Sequence, residues 1–222
     1  MPKRIALIHA TPVAMPPDTE AFRQGWPAVD TMNLLDDALS TDLARCGTLD
    51  APMQRRIATL AGYAMEIGVD GILFTCSAFG AAIEAVARTA PIPVLKPNEA
   101  MFEEALHTGP TVGLLATFQP SIPSMEQEFV AMAKTMGKQA KLEAAWVPDA
   151  MQALTSGAAA QHDRLIAATA LRLAHCDVVL LAQFSMARAL PAVRQAIGNK
   201  VLTSPDSAVA KLKALLTDGA GK

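Results

Sequence analysis

Aromatic side chains are scarce in this chain, 5% of 222 residues with a single Tyr. Ala, Leu, Val, Ile and 11 Met must therefore fill the core, which suits helices packed on buried sheets better than a β-sandwich. Charge is also sparse and nearly balanced, 19 basic against 21 acidic residues for a formal net of −2. That balance, without any long basic run, offers no field for nucleic acid or an anionic membrane. Three cysteines, Cys46, Cys76 and Cys176, are an odd number with no C-x-x-C spacing. Neither a disulfide framework nor a zinc knuckle is expected, and a reduced, cytoplasmic chain fits best. The apolar run Ile5 to Ile8, interrupted by His9, is too short for a signal-peptide core or a membrane span. No G-x-G-x-x-G follows a strand, and P-loop, H-E-x-x-H and G-x-S-x-G patterns are missing, so neither a cofactor nor a metal is expected.

What is present is 51% hydrophobic sequence, enough to exclude disorder and to build one large α/β domain or two small lobes. The chain repeats itself at a constant shift. Asp70-Gly71-Ile72-Leu73-Phe74-Thr75-Cys76 lies over Asp177-Val178-Val179-Leu180-Leu181-Ala182-Gln183, and 177 minus 70 is 107. The same shift carries Val94-Leu95 onto Val201-Leu202, Glu99 onto Asp206, and Ile5 to Ile8 onto Val112 to Leu115. Strands are expected near 4–9, 31–36, 70–75 and 92–95, then near 111–116, 141–146, 177–182 and 200–203, alternating with helices. Asp50-Ala51-Pro52 opens one helix, which stops at Gly68. Asn98 caps another that ends at Gly109, and Ser124 with Gln127 forms a capping box for a third. The fold class expected is α/β. Two pseudo-twofold-related lobes each hold a four-stranded parallel sheet flanked by helices, and the helices that follow the last strands exchange between lobes. The first lobe comprises 1–97 plus 206–222 and the second 98–205.

In open parallel sheets ligands bind beyond the carboxyl ends of the strands, and two such lobes can direct those ends at one shared cleft. The residues expected there are 9–12, 76–79, 96–98, 117–121, 183–186 and 203–206. Cys76 ends an apolar strand before Ser77-Ala78-Phe79-Gly80 and an expected helix. Helix-end amides there would lower a thiol pKa and attract a carboxylate. His9 terminates the first strand. His107 and His175 sit near helix ends and His162 in a polar stretch, all read as structural or surface groups. Lys96 reads as a solvated lysine, and Cys46 and Cys176 as packing thiols. Met125, Met132 and Met136 fall at helical spacing and read as core.

Phe74-Thr75-Cys76-Ser77 after one strand, and Leu181-Ala182-Gln183-Phe184-Ser185-Met186 after the equivalent strand, resemble the aspartate/glutamate/hydantoin racemase superfamily across essentially the whole chain. The resemblance implies a duplicated, cofactor-independent isomerase acting on a small carboxylate that is amino-acid-like, hydantoin-like or a dicarboxylate. Racemases of that superfamily carry a cysteine in each half. Cys76 matches the first, whereas Gln183 stands in place of the second, with Met186 matching the hydantoin-type motif and Ser185 standing where the glutamate type has His. Inverting a carbon centre needs one group to remove a proton from one face and another to deliver it to the opposite face. A side-chain amide donates hydrogen bonds but exchanges no proton at ordinary pH, so the symmetrical two-thiol mechanism is closed to this sequence.

What the resemblance implies is therefore asymmetric. Cys76 either exchanges a proton at the carbon beside the carboxylate, with His9, Ser185 or Asp206 as opposing group, or adds to an electron-poor double bond, as in maleate isomerase. Cys76, Gln183 and His9 are the catalytic candidates. Thr75, Ser77, Ala78, Thr117, Ser121, Phe184 and Ser185 are the substrate-binding candidates. For Thr117 and Ser121, local turn and capping roles are an equal reading. The alternatives are a single-cysteine decarboxylase or cis-trans isomerase of the same superfamily, or a small-acid binding protein without chemistry. The only partner implied is the substrate, with a homo-oligomer left open.

Overall fold

The computed structural model describes residues 2–198 and 200–217. The chain divides into two units, Met1–Glu99 with Ala208–Lys222, and Ala100–Ser207. Met1 and residues 218–222 of the expected first lobe lie outside the described residues.

In the first unit, strands β1 (Arg4–His9), β2 (Asp30–Leu35), β3 (Gly71–Phe74) and β4 (Val94–Leu95) alternate with helices. Those helices are α1 (Met15–Gly25), α2 (Leu39–Cys46), α3 (Ala51–Glu66) and α4 (Gly80–Ala87). In the second, α5 (Glu99–Thr108) leads into β5 (Thr111–Ala116), α6 (Ile122–Thr135), β6 (Lys141–Trp146), α7 (Ala150–Thr155) and α8 (Ala159–Ala170). Strand β7 (Val178–Leu181), α9 (Leu190–Ile197), β8 (Lys200–Thr203) and α10 (Ser204–Thr217) complete the described chain. Each sheet is parallel, in the orders β2-β1-β3-β4 and β6-β5-β7-β8. All eight strands expected from the sequence are present, four with the expected bounds and four with ends moved by one or two residues.

The central strands are covered on both faces and read as continuous apolar runs, whereas the edge strands β2 and β6 are only partly buried, as parallel sheets require. The repeat extends to hydrogen bonds. Asp70 accepts the Arg4 backbone N–H at 2.8 Å, and Asp177 accepts that of Thr111 at 2.8 Å. Each carboxylate thus fixes the amino end of the first strand of its sheet. Asp177 also explains Gly109, since a Cβ there would come within 2.5 Å of the aspartate side chain.

Helix α5 follows the last strand of the first sheet, yet Met101, Phe102, Ala105 and Leu106 pack in the core of the second, with α6 and β5. Phe102 meets Phe129 edge-on, with ring centroids 5.6 Å apart. Conversely, α10 from Ala208 onward belongs to the first unit, where Leu212 and Leu216 cover Gly71 of β3.

Asp50 caps α3, accepting the Met53 N–H at 3.0 Å, and Gly68 takes a left-handed conformation, φ +81°, where the chain turns toward β3. The Ser124–Gln127 capping box does not form. Helix α6 begins three residues earlier, at Ile122, with Pro123 in its first turn, and Ser124 donates back to the Ser121 carbonyl. Met125 is buried, with Met132 and Met136 packed beside it, as expected. Cys46, expected to pack, is exposed, because α2 turns its last residue outward just before Gly47. His162 is fully buried, which settles its reading as structural rather than surface. Among the described residues, no helix is long and apolar enough to cross a membrane.

Candidate functional site

Parallel strands deliver their carboxyl ends to one edge of each sheet, and most of the expected residues lie there. In the first unit β3 ends at Phe74, so Thr75 and Cys76 are the first residues beyond the sheet. Thr75 is buried, Cys76 and Ser77 are half-buried, and Ala78 is exposed. Cys76 has extended backbone, φ −127° and ψ 118°, and leads into a 3-10 turn, Ser77–Phe79; α4 starts only at Gly80. Burial pushes the thiol up, opposed by the Ala78 backbone N–H and the Ser40 hydroxyl, which favour the thiolate. The pKa lowering expected from the sequence is thus reversed. The intervening turn moves the helix amides one turn away, and two hydrogen bonds do not outweigh desolvation.

His9, at the end of β1, is fully buried. Its Nδ1 lies 2.9 Å from Thr75 Oγ1 and its Nε2 2.8 Å from Asn33 Oδ1. One imidazole therefore ties the ends of β1, β2 and β3 together directly behind Cys76. Burial lowers its pKa, with the Asn33 hydrogen bond opposing, so the neutral ring is favoured.

Asp18, on the buried face of α1 with Ala21 and Phe22, sits 3.7 Å from His9 Nδ1. Neither carboxyl oxygen has a hydrogen-bond partner among the described residues, and burial raises its pKa well above 3.8. Such a group supports the fold fully below its unfolded pKa and loses that support as pH rises. Asp18→Asn, isosteric but unable to ionise, is expected to resist urea better than wild type at pH 7, with the gap closing toward pH 3.8. His9, depressed from 6.5, acts in the opposite direction, its support being lost as pH falls. Equal urea midpoints at pH 7 would mean that the carboxyl ionises there without cost.

The second unit brings Gln183, Thr117 and Ser121 together. Gln183 Oε1 accepts the Thr117 backbone N–H at 2.8 Å and lies 3.3 Å from its hydroxyl, while Nε2 donates to Ser121 Oγ at 3.2 Å. Ser121 Oγ in turn donates to the Phe118 carbonyl at 2.7 Å. Phe184 and Ser185 are buried in the 3-10 segment Phe184–Ala189, and Met186 packs in the core. The Gln183 amide thus pins the end of β5 to the end of β7. Gln183→Ala would orphan the buried Thr117 amide and is expected to cost about 1–3 kcal/mol in urea unfolding; an unchanged midpoint would mean that water replaces the side chain fully.

Lys96, expected to be solvated, is only 13% exposed and pairs with Glu84 at 2.6 Å. Asp206 binds Thr203 Oγ1 at 2.7 Å at the start of α10. Residues the sequence reading missed are Asn33, Ser40 and Asp18. Asn33 had a signal, as the lone polar residue within Met32–Leu35, and so did Asp18, whose spacing to Ala21 and Phe22 marks a buried helical face.

A family model described as Asp/Glu/hydantoin racemase matches residues 19–212. No curated protein sequence matches the chain. Among solved structures, a glutamate racemase from Bacillus anthracis is 15% identical with a TM-score of 0.73, covering 99% of this chain and 83% of its own. An aspartate racemase from Picrophilus torridus is 16% identical, TM-score 0.71, covering 99% and 95%. An allantoin racemase from Pseudomonas fluorescens is 16% identical, TM-score 0.70, covering 97% and 92%. At these identities the structures establish a shared fold.

Proposed function

Because the chain belongs to the Asp/Glu/hydantoin racemase family, and so among isomerases, we propose that it is a cofactor-independent isomerase of a small carboxylate, working through Cys76. The observation that carries this reading is the asymmetry of the two strand ends, a thiol after β3 and a hydrogen-bonded amide after β7. Cys76 takes or delivers a proton at the carbon next to the carboxylate, or adds to that carbon when it is part of a double bond. Gln183 supplies hydrogen bonds to the carboxylate or to developing enolate charge, exchanging no proton itself. Ser77 and Ala78 in the first unit, and Thr117, Ser121, Phe184 and Ser185 in the second, are the proposed substrate-binding residues. His9, through Thr75, holds the segment that carries Cys76. The proposed substrate is amino-acid-like, hydantoin-like or a diacid, and the protein is proposed to act in the cytoplasm.

The upward-shifted thiol and the missing second cysteine favour one rival, a protein that binds small acids without turning them over. Product chromatography after incubation with amino acids, hydantoins, maleate-like diacids and malonates, on a chiral phase for the first two classes, separates the two. The isomerase reading expects turnover of at least one class, abolished in Cys76→Ala. No turnover of any class, together with a carboxylate that raises the melting temperature, would establish the rival.

A further inference from the structure

The amino end of β7, away from Gln183, carries a second cluster of chemically capable side chains. His175 and Cys176 occupy the turn before β7, and Glu143 lies on β6. Side chains alternate along a strand, so Glu143 shares its face with Ala145 and Val147, which pack in the same core as Cys176. Between them runs β5, where Gly113 stands opposite Glu143. A Cβ on Gly113 would lie 3.3 Å from Cys176 Sγ and 3.1 Å from Leu173. The glycine is thus a notch across which the thiol reaches toward the edge strand. His175 Nε2 is 3.0 Å from Glu143 Oε2 and 3.8 Å from Cys176 Sγ, and the three ligand atoms all lie within 4.8 Å of one another.

We infer that Glu143, His175 and Cys176 form a binding site for a thiophilic divalent transition metal of the zinc class. Tetrahedral zinc, with bonds of about 2.0–2.3 Å, holds neighbouring ligand atoms roughly 3.3–3.7 Å apart. The separations of 3.0 and 3.8 Å bracket that range, so small side-chain rotations seat an ion. Thiolate, imidazole and one carboxylate oxygen are a donor set zinc accepts. Lys141 holds the other carboxylate oxygen, Glu143 Oε1, at 2.7 Å, which leaves Oε2 for the metal. Binding displaces the thiol proton of Cys176 to solvent, and His175 coordinates through the Nε2 lone pair with its remaining ring proton on Nδ1. Half-exposed His175 leaves the fourth position to water. Local spacing in sequence carries no sign of the site, because Glu143 lies 32 residues before His175.

Titrating the full-length protein with Co²⁺ and following thiolate-to-cobalt charge-transfer absorption tests this. The wild type is expected to develop the band and to lose it on adding Zn²⁺. Cys176→Ser abolishes it, and His175→Ala and Glu143→Gln weaken Co²⁺ binding at least tenfold, as loss of a ligand should. His175 is exposed, so its variant reports even if Cys176→Ser fails to fold. Absence of the band in wild type, its persistence in Cys176→Ser, or its loss in Cys76→Ser or Cys46→Ser would overturn the assignment.

Discussion

Cys76→Ala should lower turnover of the proposed substrate by about 10²–10⁴-fold, the usual loss when a proton-transferring group is removed. The thiol is half-buried, so its loss should shift unfolding free energy by no more than about 1 kcal/mol; activity and stability therefore separate. Cys76→Ser should be nearly as inactive, since a hydroxyl keeps the shape but is a far weaker acid. The upward shift gives the expectation a direction with pH. The resting thiol holds its proton at neutral pH, and thiolate accumulates only as pH rises beyond the ordinary value of 9.0. Alkylation by iodoacetamide should thus be no faster than that of a free thiol at pH 7 and should climb with pH. Rapid alkylation at pH 7 would mean that the Ala78 amide and Ser40 hydroxyl outweigh burial.

His9→Ala should be the most destabilising change near the strand ends, at about 3–5 kcal/mol in urea unfolding. It opens a cavity where a fully buried ring stood, and it strips a partner from both Asn33 and Thr75. Turnover should fall as well, because Thr75 precedes Cys76 directly and, among the described residues, its hydroxyl is otherwise held by a 3.4 Å contact to the Ile8 carbonyl. A loss below about 1 kcal/mol would show that the surrounding shell closes over the gap without needing the imidazole.

The two sheets were legible in the sequence because strands buried on both faces advertise themselves as apolar runs, and because the 107-residue shift made each half check the other. Cys76 and Gln183 were legible for the same reason, each being the residue just past a recognisable strand. Apart from Asn33, which lies on the expected strand β2, what escaped depended on side chains from elements without such a run or repeat. Helices α1 and α2 are short and begin without a side-chain cap, and with them went Asp18 and Ser40. The sign of the Cys76 shift escaped because a helix expected to start at the thiol starts at Gly80 instead. Ser121 and Thr117, open to two readings in the sequence, serve local structure through Phe118 and Gln183 and are proposed to meet substrate as well.

In the proton-transfer form of the proposed reaction, one thiol, and no second one, exchanges a proton at the carbon beside a carboxylate. Its most direct test is wash-in of solvent deuterium at that carbon in D₂O, followed by mass spectrometry with a substrate that the protein turns over. Wild type and Gln183→Asn should both incorporate deuterium, the amide being no proton carrier, whereas Cys76→Ser should incorporate none above the uncatalysed rate. Undiminished incorporation by Cys76→Ser would contradict the claim.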